Sequence, residues 1–221
     1  MAPRLGLAGM TLALGLAATG TAQAGSLTLP APDTGTGLSV TEALDQRHSV
    51  RDFREGPISL ANAGQILWAA QGTNRPEGRT APSAGGLYPL TVYLVAGAVA
   101  DLPAGIYRFL PEGHRLERVA EGDQRDRLAR AARGQTWVRG APAVLVITAV
   151  YARTTGKYGN RGRRYVHIEV GHAGQNVYLQ AEALGLGTVM VGAFADAAVA
   201  RILGLEEKAV PLALMPIGRP G

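Results

Sequence analysis

The run Ala143-Val144-Leu145-Val146-Ile147-Thr148-Ala149-Val150 is continuously apolar apart from one threonine. A segment this short and this β-branched reads as a strand. With no polar face, it must be central and covered on both sides. The rest of the chain has to supply those covers.

Candidates are present on either side of it. Ser59 is a natural N-cap for a helix that starts at Ile58-Ser59 and runs to about Ala70, with Leu60, Ala63, Gly64, Leu67 and Trp68 as its apolar stripe. Val40 to Gln46 reads as a short amphipathic helix. The longest helix spans Tyr165 to Leu184, where Val166, Val170, Ala173, Gly174, Val177, Tyr178, Ala181 and Leu184 make a broad face of mostly small residues, suited to close packing in the core or across a dimer. Helices are also expected over Gly122 to Gly134 and Asp196 to Leu203. Thr91 to Ala96, Thr188 to Val191 and Pro211 to Met215 read as strands. Gly105 to Phe109 and Arg115 to Val119 alternate around Pro111-Glu112-Gly113, a hairpin signature, with His114 as a solvated residue beside its turn. Gln71 to Thr80 reads as a polar loop. Arg153 to Arg164, with Lys157, Tyr158, Arg161, Arg163 and Arg164, is the most basic stretch and is either a lid or a solvated loop.

Composition narrows the function. The 221 residues are 47% hydrophobic, enough for one domain with a sizeable core. The formal net charge is +5, yet only 3 Phe and 2 Trp are available to stack on bases and no recognition motif is present, so nucleic acid is not expected as a partner. The chain has no cysteine, which removes disulfides, thiolate metal sites and a cysteine nucleophile. His167, Glu169 and His172 invite a metal, and Glu169 and His172 share a helical face. No third ligand has suitable spacing, and a zinc site takes three or four, so no metal is expected.

The N-terminus carries its own signature. Arg4, an apolar run from Leu5 to Ala18, and Ala22-Gln23-Ala24 have the order of a secretory signal peptide of Sec type, residues 1–24. The run is short for a membrane span, which takes about 20 residues, so stable membrane insertion after cleavage is not expected. The expected location is periplasmic or secreted. Residues 25–39, rich in Gly, Pro, Thr and Ser, read as a linker before a single domain over residues 40–221.

Arg47-His48-Ser49-Val50-Arg51-Asp52-Phe53 concentrates two guanidiniums, an imidazole and a hydroxyl. Arginine gives charge-assisted, often bidentate bonds to phosphate, and a hydroxyl adds a neutral donor. In extended backbone Arg47, Ser49 and Arg51 point one way. The alternative is a solvated basic turn. Further along, Pro82-Ser83-Ala84-Gly85-Gly86-Leu87-Tyr88-Pro89 brackets small residues with prolines, a turn whose backbone can approach a flat ligand.

These two segments resemble, in order with Glu169 to Asn176, Gly185 to Phe194 and Ile217-Gly218-Arg219-Pro220, the nitroreductase superfamily and its SagB/thiazole-oxidase-type branch. The resemblance covers about residues 40 to 221. It implies an α+β nitroreductase-like fold, with a central mixed, mostly antiparallel sheet flanked by helices, and a homodimer. It implies FMN as cofactor, held by Arg47, His48, Ser49 and Arg51 with Arg219 as a further cation on the phosphate. Pro82, Ser83, Ala84, Gly85 and Gly86 would line the ring, Asn176 would bond near it or brace the motif, and Gly192-Ala193 would meet the N5 edge. Lys157-Tyr158 matches a pair implicated in substrate proton transfer in thiazole-oxidase-like members. The function implied is an FMN-dependent oxidoreductase moving hydride to or from a small organic substrate, with NAD(P)H as donor. The alternatives are an azoline oxidase acting on a modified peptide, or a flavin-binding module without turnover.

Overall fold

The computed structural model describes residues 25–35 and 37–221. The signal peptide read at residues 1–24 lies outside them. The apolar run at the centre of the sequence becomes strand β7 (Ala143–Ala149), and every one of its residues is buried. It sits between β4 (Leu90–Ala96) and β9 (Val210–Gly218) in a seven-stranded sheet of order β1-β6-β5-β4-β7-β9-β8. The others are β1 (Ser26–Thr28), β5 (Gly105–Leu110), β6 (Arg115–Glu121) and β8 (Gly187–Thr188). Every ladder is antiparallel. Among the described residues parallel pairing occurs only as isolated bridges, Ser49 with Thr188 and Ile58 with Val99.

Strand alternation divides β7 between two cores. Leu145 and Ile147 face one core, with Leu94 and Met215 directly beside Leu145 in the register. Helices α2 (Leu60–Gln71) and α6 (Arg161–Ala183) cover that side through Ile66, Leu67, Val166, Ala173 and Val177. Val144 and Val146 face the other, covered by Leu128 of α3 (Arg125–Ala131), Val138 of α4 (Thr136–Gly140), and Val199 and Leu203 of α7 (Asp196–Leu203). Each fully buried aliphatic side chain there contributes about 1.5–3 kcal/mol. This is an α+β architecture, a large antiparallel sheet flanked by helices. Among the described residues no helix is long and apolar enough to cross a membrane.

Local chemistry starts the helices where expected. Ser39 and Glu42 form a reciprocal capping box on α1 (Val40–Gln46). Ser59 Oγ accepts the Asn62 amide at 3.1 Å on α2.

Several expectations are corrected. Part of the segment read as a linker is structural: β1 pairs with β6, Leu29 is buried, and the Asp33 backbone N–H and C=O both bond the Gln65 side chain. The polar loop after α2 contains a small ribbon, β2 (Thr73–Arg75) against β3 (Gly78–Arg79). The basic stretch Arg153 to Arg164 is mostly helical: α5 (Ala152–Tyr158) stops at Gly159, whose φ is 54°, and α6 begins at Arg161 rather than Tyr165. Arginine is a good helix former, and Thr154 and Gly162 give this polar stretch its buried side. The strand expected over Thr188 to Val191 pairs only at its start and at an isolated Val191–Leu214 bridge. His114 is half-buried, not solvated, with its ring edge-on to Phe109 at 5.6 Å.

Candidate functional site

The basic motif leaves α1 in extended backbone and is stitched to two distant parts of the chain. The Val50 N–H donates to the Thr188 carbonyl at 2.9 Å, and Arg54 N–H to the Arg219 carbonyl at 3.0 Å. Phe53 forms an isolated bridge with Pro220. Val50 is buried, while Arg47 and Ser49 are half-buried and Arg51 is exposed. Gly187 of β8 makes this approach possible: a Cβ there would lie 2.5 Å from Val50 Cγ2. The fold thus brings Arg47, Ser49 and Arg51 to the β8 edge and holds the backbone of Arg219 alongside the same segment.

Tyr178 of α6 organises the motif. Arg47 lies over its ring at 5.1 Å, and its hydroxyl is 3.2 Å from Ser49 Oγ while accepting the Met190 N–H at 2.8 Å. Arg51 lies over the Trp137 ring at 5.9 Å. Six other arginines are paired with carboxylates, but among the described residues Arg47, Arg51 and Arg219 are not. Arg47 Nε and Thr188 Oγ1 are buried with no hydrogen-bond partner among the described residues. Buried donors are ordinarily satisfied. An unneutralised, partly buried arginine with an unpartnered donor and a neighbouring hydroxyl suits a phosphate oxyanion. His48 is exposed, its Nδ1 3.2 Å from the Gln46 carbonyl.

The second element is the turn from Pro82 to Tyr88. Gly85 and Gly86 have φ of 65° and 64°, and Tyr88, a residue with a Cβ, has φ of 44°. The Tyr88 N–H donates to Ser83 Oγ at 2.9 Å and closes the turn. A Cβ on Gly85 would lie 2.7 Å from Tyr158 Oη and 3.1 Å from Lys157 Nζ. Lys157 and Tyr158, at the end of α5, therefore stand directly against the glycine turn. Tyr158 also packs edge-on to Tyr165 at 5.1 Å. Beside them a cavity of about 260 Å³ is lined by Pro82, Ser83, Ala84, Tyr165, Glu169 and His172.

Glu169 is buried in this wall. Burial pushes its carboxyl above the usual range, opposed by hydrogen bonds from Ser83 and Gln71 and by the charges of Arg79 and His172. His172 Nδ1 lies 3.3 Å from the Pro82 carbonyl. Both residues serve the turn, and among the described residues no cluster of three or more His, Asp or Glu could hold a metal.

Asn176 is spent on bracing. Its amide donates to the carbonyls of Ala69 at 3.0 Å and Thr80 at 3.2 Å, joining α6 to the end of α2 and to the strand of chain leading into the turn. Gly192 and Ala193 are exposed, and the Ala193 carbonyl accepts from Gln135 Nε2 at 3.0 Å. Sequence reading passed over Tyr178 as a stripe residue and did not single out Gln135 or Trp137. Their contacts span 129 residues in the case of Tyr178 with Ser49 and 58 for Gln135 with Ala193, so no local pattern carries them.

Residues 44–219 match the Nitroreductase family. The chain is 45% identical over 183 residues to "Putative nitroreductase MJ1384" of Methanocaldococcus jannaschii, covering 82% of this chain and 91% of that protein. A crystal structure of a Ralstonia eutropha JMP134 protein, described as a putative nitroreductase, superposes with a TM-score of 0.78 at 32% identity, covering 89% of this chain and 90% of the other. The chain is also similar to McbC, the microcin B17-processing protein of Escherichia coli, at 30% identity over 60% of this chain and 50% of McbC. The E. coli microcin synthetase McbBCD complex with truncated pro-MccB17 contains a chain that matches with a TM-score of 0.71 at 25% identity, covering 96% of this chain and 85% of that one.

Proposed function

The chain belongs to the nitroreductase family, and on that premise we propose that it is an FMN-dependent oxidoreductase acting on a small organic substrate. The observation that carries the cofactor is the cation set at the β8 edge: Arg47 and Arg51 without carboxylate partners among the described residues, and Arg47 Nε buried and unpartnered beside Ser49. Arg47, Ser49 and Arg51, with Arg219 nearby in the backbone and His48 at the rim, hold the phosphate. When bound, FMN supplies hydride transfer, which no side chain of this chain can perform. The protein's own work is positioning. Pro82 to Gly86 line the ring, the backbone at Gly192-Ala193 meets its polar edge, and Asn176 braces the approach to the turn. NAD(P)H is the proposed donor.

Lys157 Nζ and Tyr158 Oη face the glycine turn and hold or move the substrate's proton. That same placement supports a second reading, azoline oxidation on a modified peptide, as the likeness to McbC suggests. The two readings part on substrate: the first predicts turnover with a quinone or nitroaromatic, the second with a thiazoline-bearing peptide alone. A homodimer and export by the leader at residues 1–24 belong to the same proposal. The exposed apolar residues Val40, Leu44 and Ile168 support the first, and the order Arg4, apolar run, Ala22-Gln23-Ala24 the second.

The test is the absorption spectrum of the purified chain from Gly25 onward, with the flavin identified after denaturation. About one FMN per chain is expected by the family's chemistry. Arg47→Ala should weaken FMN binding roughly 10- to 100-fold, the worth of a hydrogen bond to a charged group. A colourless protein that takes up no added FMN would sink the proposal.

A further inference from the structure

Of the 22 Lys and Arg in the chain, five lie between Tyr151 and Glu169: Arg153, Lys157, Arg161, Arg163 and Arg164. No Asp or Glu stands among them, and the other 17 cations match the 17 Asp and Glu of the whole chain. The formal net charge of +5 is therefore the charge of the hairpin that α5 and α6 form. All five side chains are exposed, and among the described residues none has a carboxylate partner. Folding gains nothing from this. Arg161, Arg163 and Arg164 sit in the first turn of α6, which holds no acidic residue, and the helix dipole already makes that end positive.

The hairpin is fixed beside the glycine turn. Gly162 lets it close tightly, since a Cβ there would lie 2.8 Å from the Thr155 backbone. Arg153 Nη1 donates to the Tyr88 carbonyl at 3.4 Å, and Lys157 Nζ faces Gly85. Arg163 lies over the Tyr151 ring at 4.5 Å. The side chains of Arg161 and Arg164 have no partner among the described residues. Arg161 precedes Tyr165 by four positions and Arg164 by three, so the three share one face of α6. Helical side chains lean toward the helix N-terminus, which brings Tyr165 toward Arg161. Tyr165 in turn lines the cavity of about 260 Å³ with Pro82, Ser83 and Ala84, and meets Tyr158 edge-on at 5.1 Å. The carboxyl in that wall, Glu169, is buried and accepts from Gln71 Nε2 at 3.4 Å. The cavity thus offers an aromatic corner inside and unneutralised cations at its rim. Clefts for drug-sized ligands start at about 300 Å³, so this one suits a single ring.

We propose that the substrate is a flat aromatic anion. Its ring enters the cavity against Tyr158 and Tyr165, and its carboxylate is held by Arg161 and Arg164 through charge-assisted bonds. This substrate class belongs to the site proposed above and rests on that function. Arg161 and Arg164 bind the anion and take no part in electron transfer.

Flavin reoxidation tests this without a nicotinamide, which is itself anionic. The FMN-loaded chain is reduced with light, and its reoxidation by para-nitrobenzoate and by uncharged para-nitrobenzyl alcohol is followed by absorbance. The ratio of the two second-order rate constants is the readout, because differences in flavin content cancel in it. Arg161→Gln combined with Arg164→Gln should lower the ratio about fivefold, as expected for two exposed charge contacts. Arg127→Gln combined with Arg130→Gln removes two charges from α3 and should leave the ratio unchanged. Raising the salt from about 0.01 M to about 1 M shrinks the Debye length from about 30 Å to about 3 Å, and should lower the ratio in the wild type more than in the hairpin variant. An unchanged ratio in the hairpin variant, or an equal fall in the α3 variant, would overturn the proposal. Saturation-transfer NMR of both compounds against the flavin-free chain reports binding without turnover. Stronger transfer to para-nitrobenzoate, lost in the hairpin variant, is expected; equal transfer to the two compounds would overturn the anion grip. If neither compound reoxidises the flavin, or no flavin binds, the oxidoreductase reading fails while the NMR still decides the grip.

Discussion

Gly187 shows how one missing side chain shapes the site. Val50 occupies the space its Cβ would fill, with Cγ2, Cβ and Cγ1 all between 2.5 and 2.8 Å from that position. Val50 stands between Ser49 and Arg51, so moving it moves the proposed phosphate grip. Gly187→Ala should cost about 1–3 kcal/mol, the usual cost of overpacking. It should also weaken FMN binding. Thermal unfolding and a flavin titration read the two effects separately. Gly171→Ala is the control: nothing lies within 4 Å of a Cβ there, and removing a helical glycine should stabilise by up to about 1 kcal/mol.

Among the elements, the edge strand β1 depends most on contacts made far away. Leu29, just after it, donates its N–H to the His114 carbonyl at 3.0 Å and packs into the core below α2. Burial lowers the His114 pKa below its ordinary 6.5, partly offset by the backbone carbonyl of Pro30. A depressed histidine is neutral in the fold and protonates more readily when unfolded. Its contribution is therefore complete above about pH 6.5 and is lost as pH falls below that toward the folded-state pKa. Urea unfolding should show stability decreasing over that range, and His114→Asn should flatten the decrease. Asparagine tolerates the left-handed backbone of this position, where φ is 49°.

At the scale of the whole molecule, β7 contributes to both cores, as do its neighbours β4 and β9. Leu145→Ala should cost about 2–5 kcal/mol, because the rigid row of Leu94 and Met215 beside it cannot collapse into the space. Denaturant titration measures this, and a cost under 1 kcal/mol would contradict the rigid-row account. The proposed homodimer makes a prediction of its own. Ile168 is 48% exposed on α6, beside the cavity at the glycine turn. Sedimentation should return two chains for the wild type and one for Ile168→Glu. Unchanged sedimentation of the variant would remove α6 from the proposed interface.

Much of this was readable because it is local. The continuous apolar run required a strand covered on both faces. The 3.6-residue periodicity of α2 and α6 and the cap at Ser59 depend on residues a few positions apart. The ordered motifs from Arg47 to Arg219 identified the family, since their spacing along the chain survives without coordinates. The linker segment was misread because a three-residue strand has no periodicity, and only the free edge of β6 makes it one. The basic stretch was misread because its charges hide the narrow buried side formed by Thr154 and Gly162. Partners such as Tyr178 for Ser49, Gln135 for Ala193 and Glu169 for Gln71 were out of reach for a deeper reason. The sequence by itself determined which segments form elements, through periodicity and capping. Which side chains meet across those elements was decided by packing between segments separated by tens to more than a hundred residues, where only the tertiary structure sets the distance.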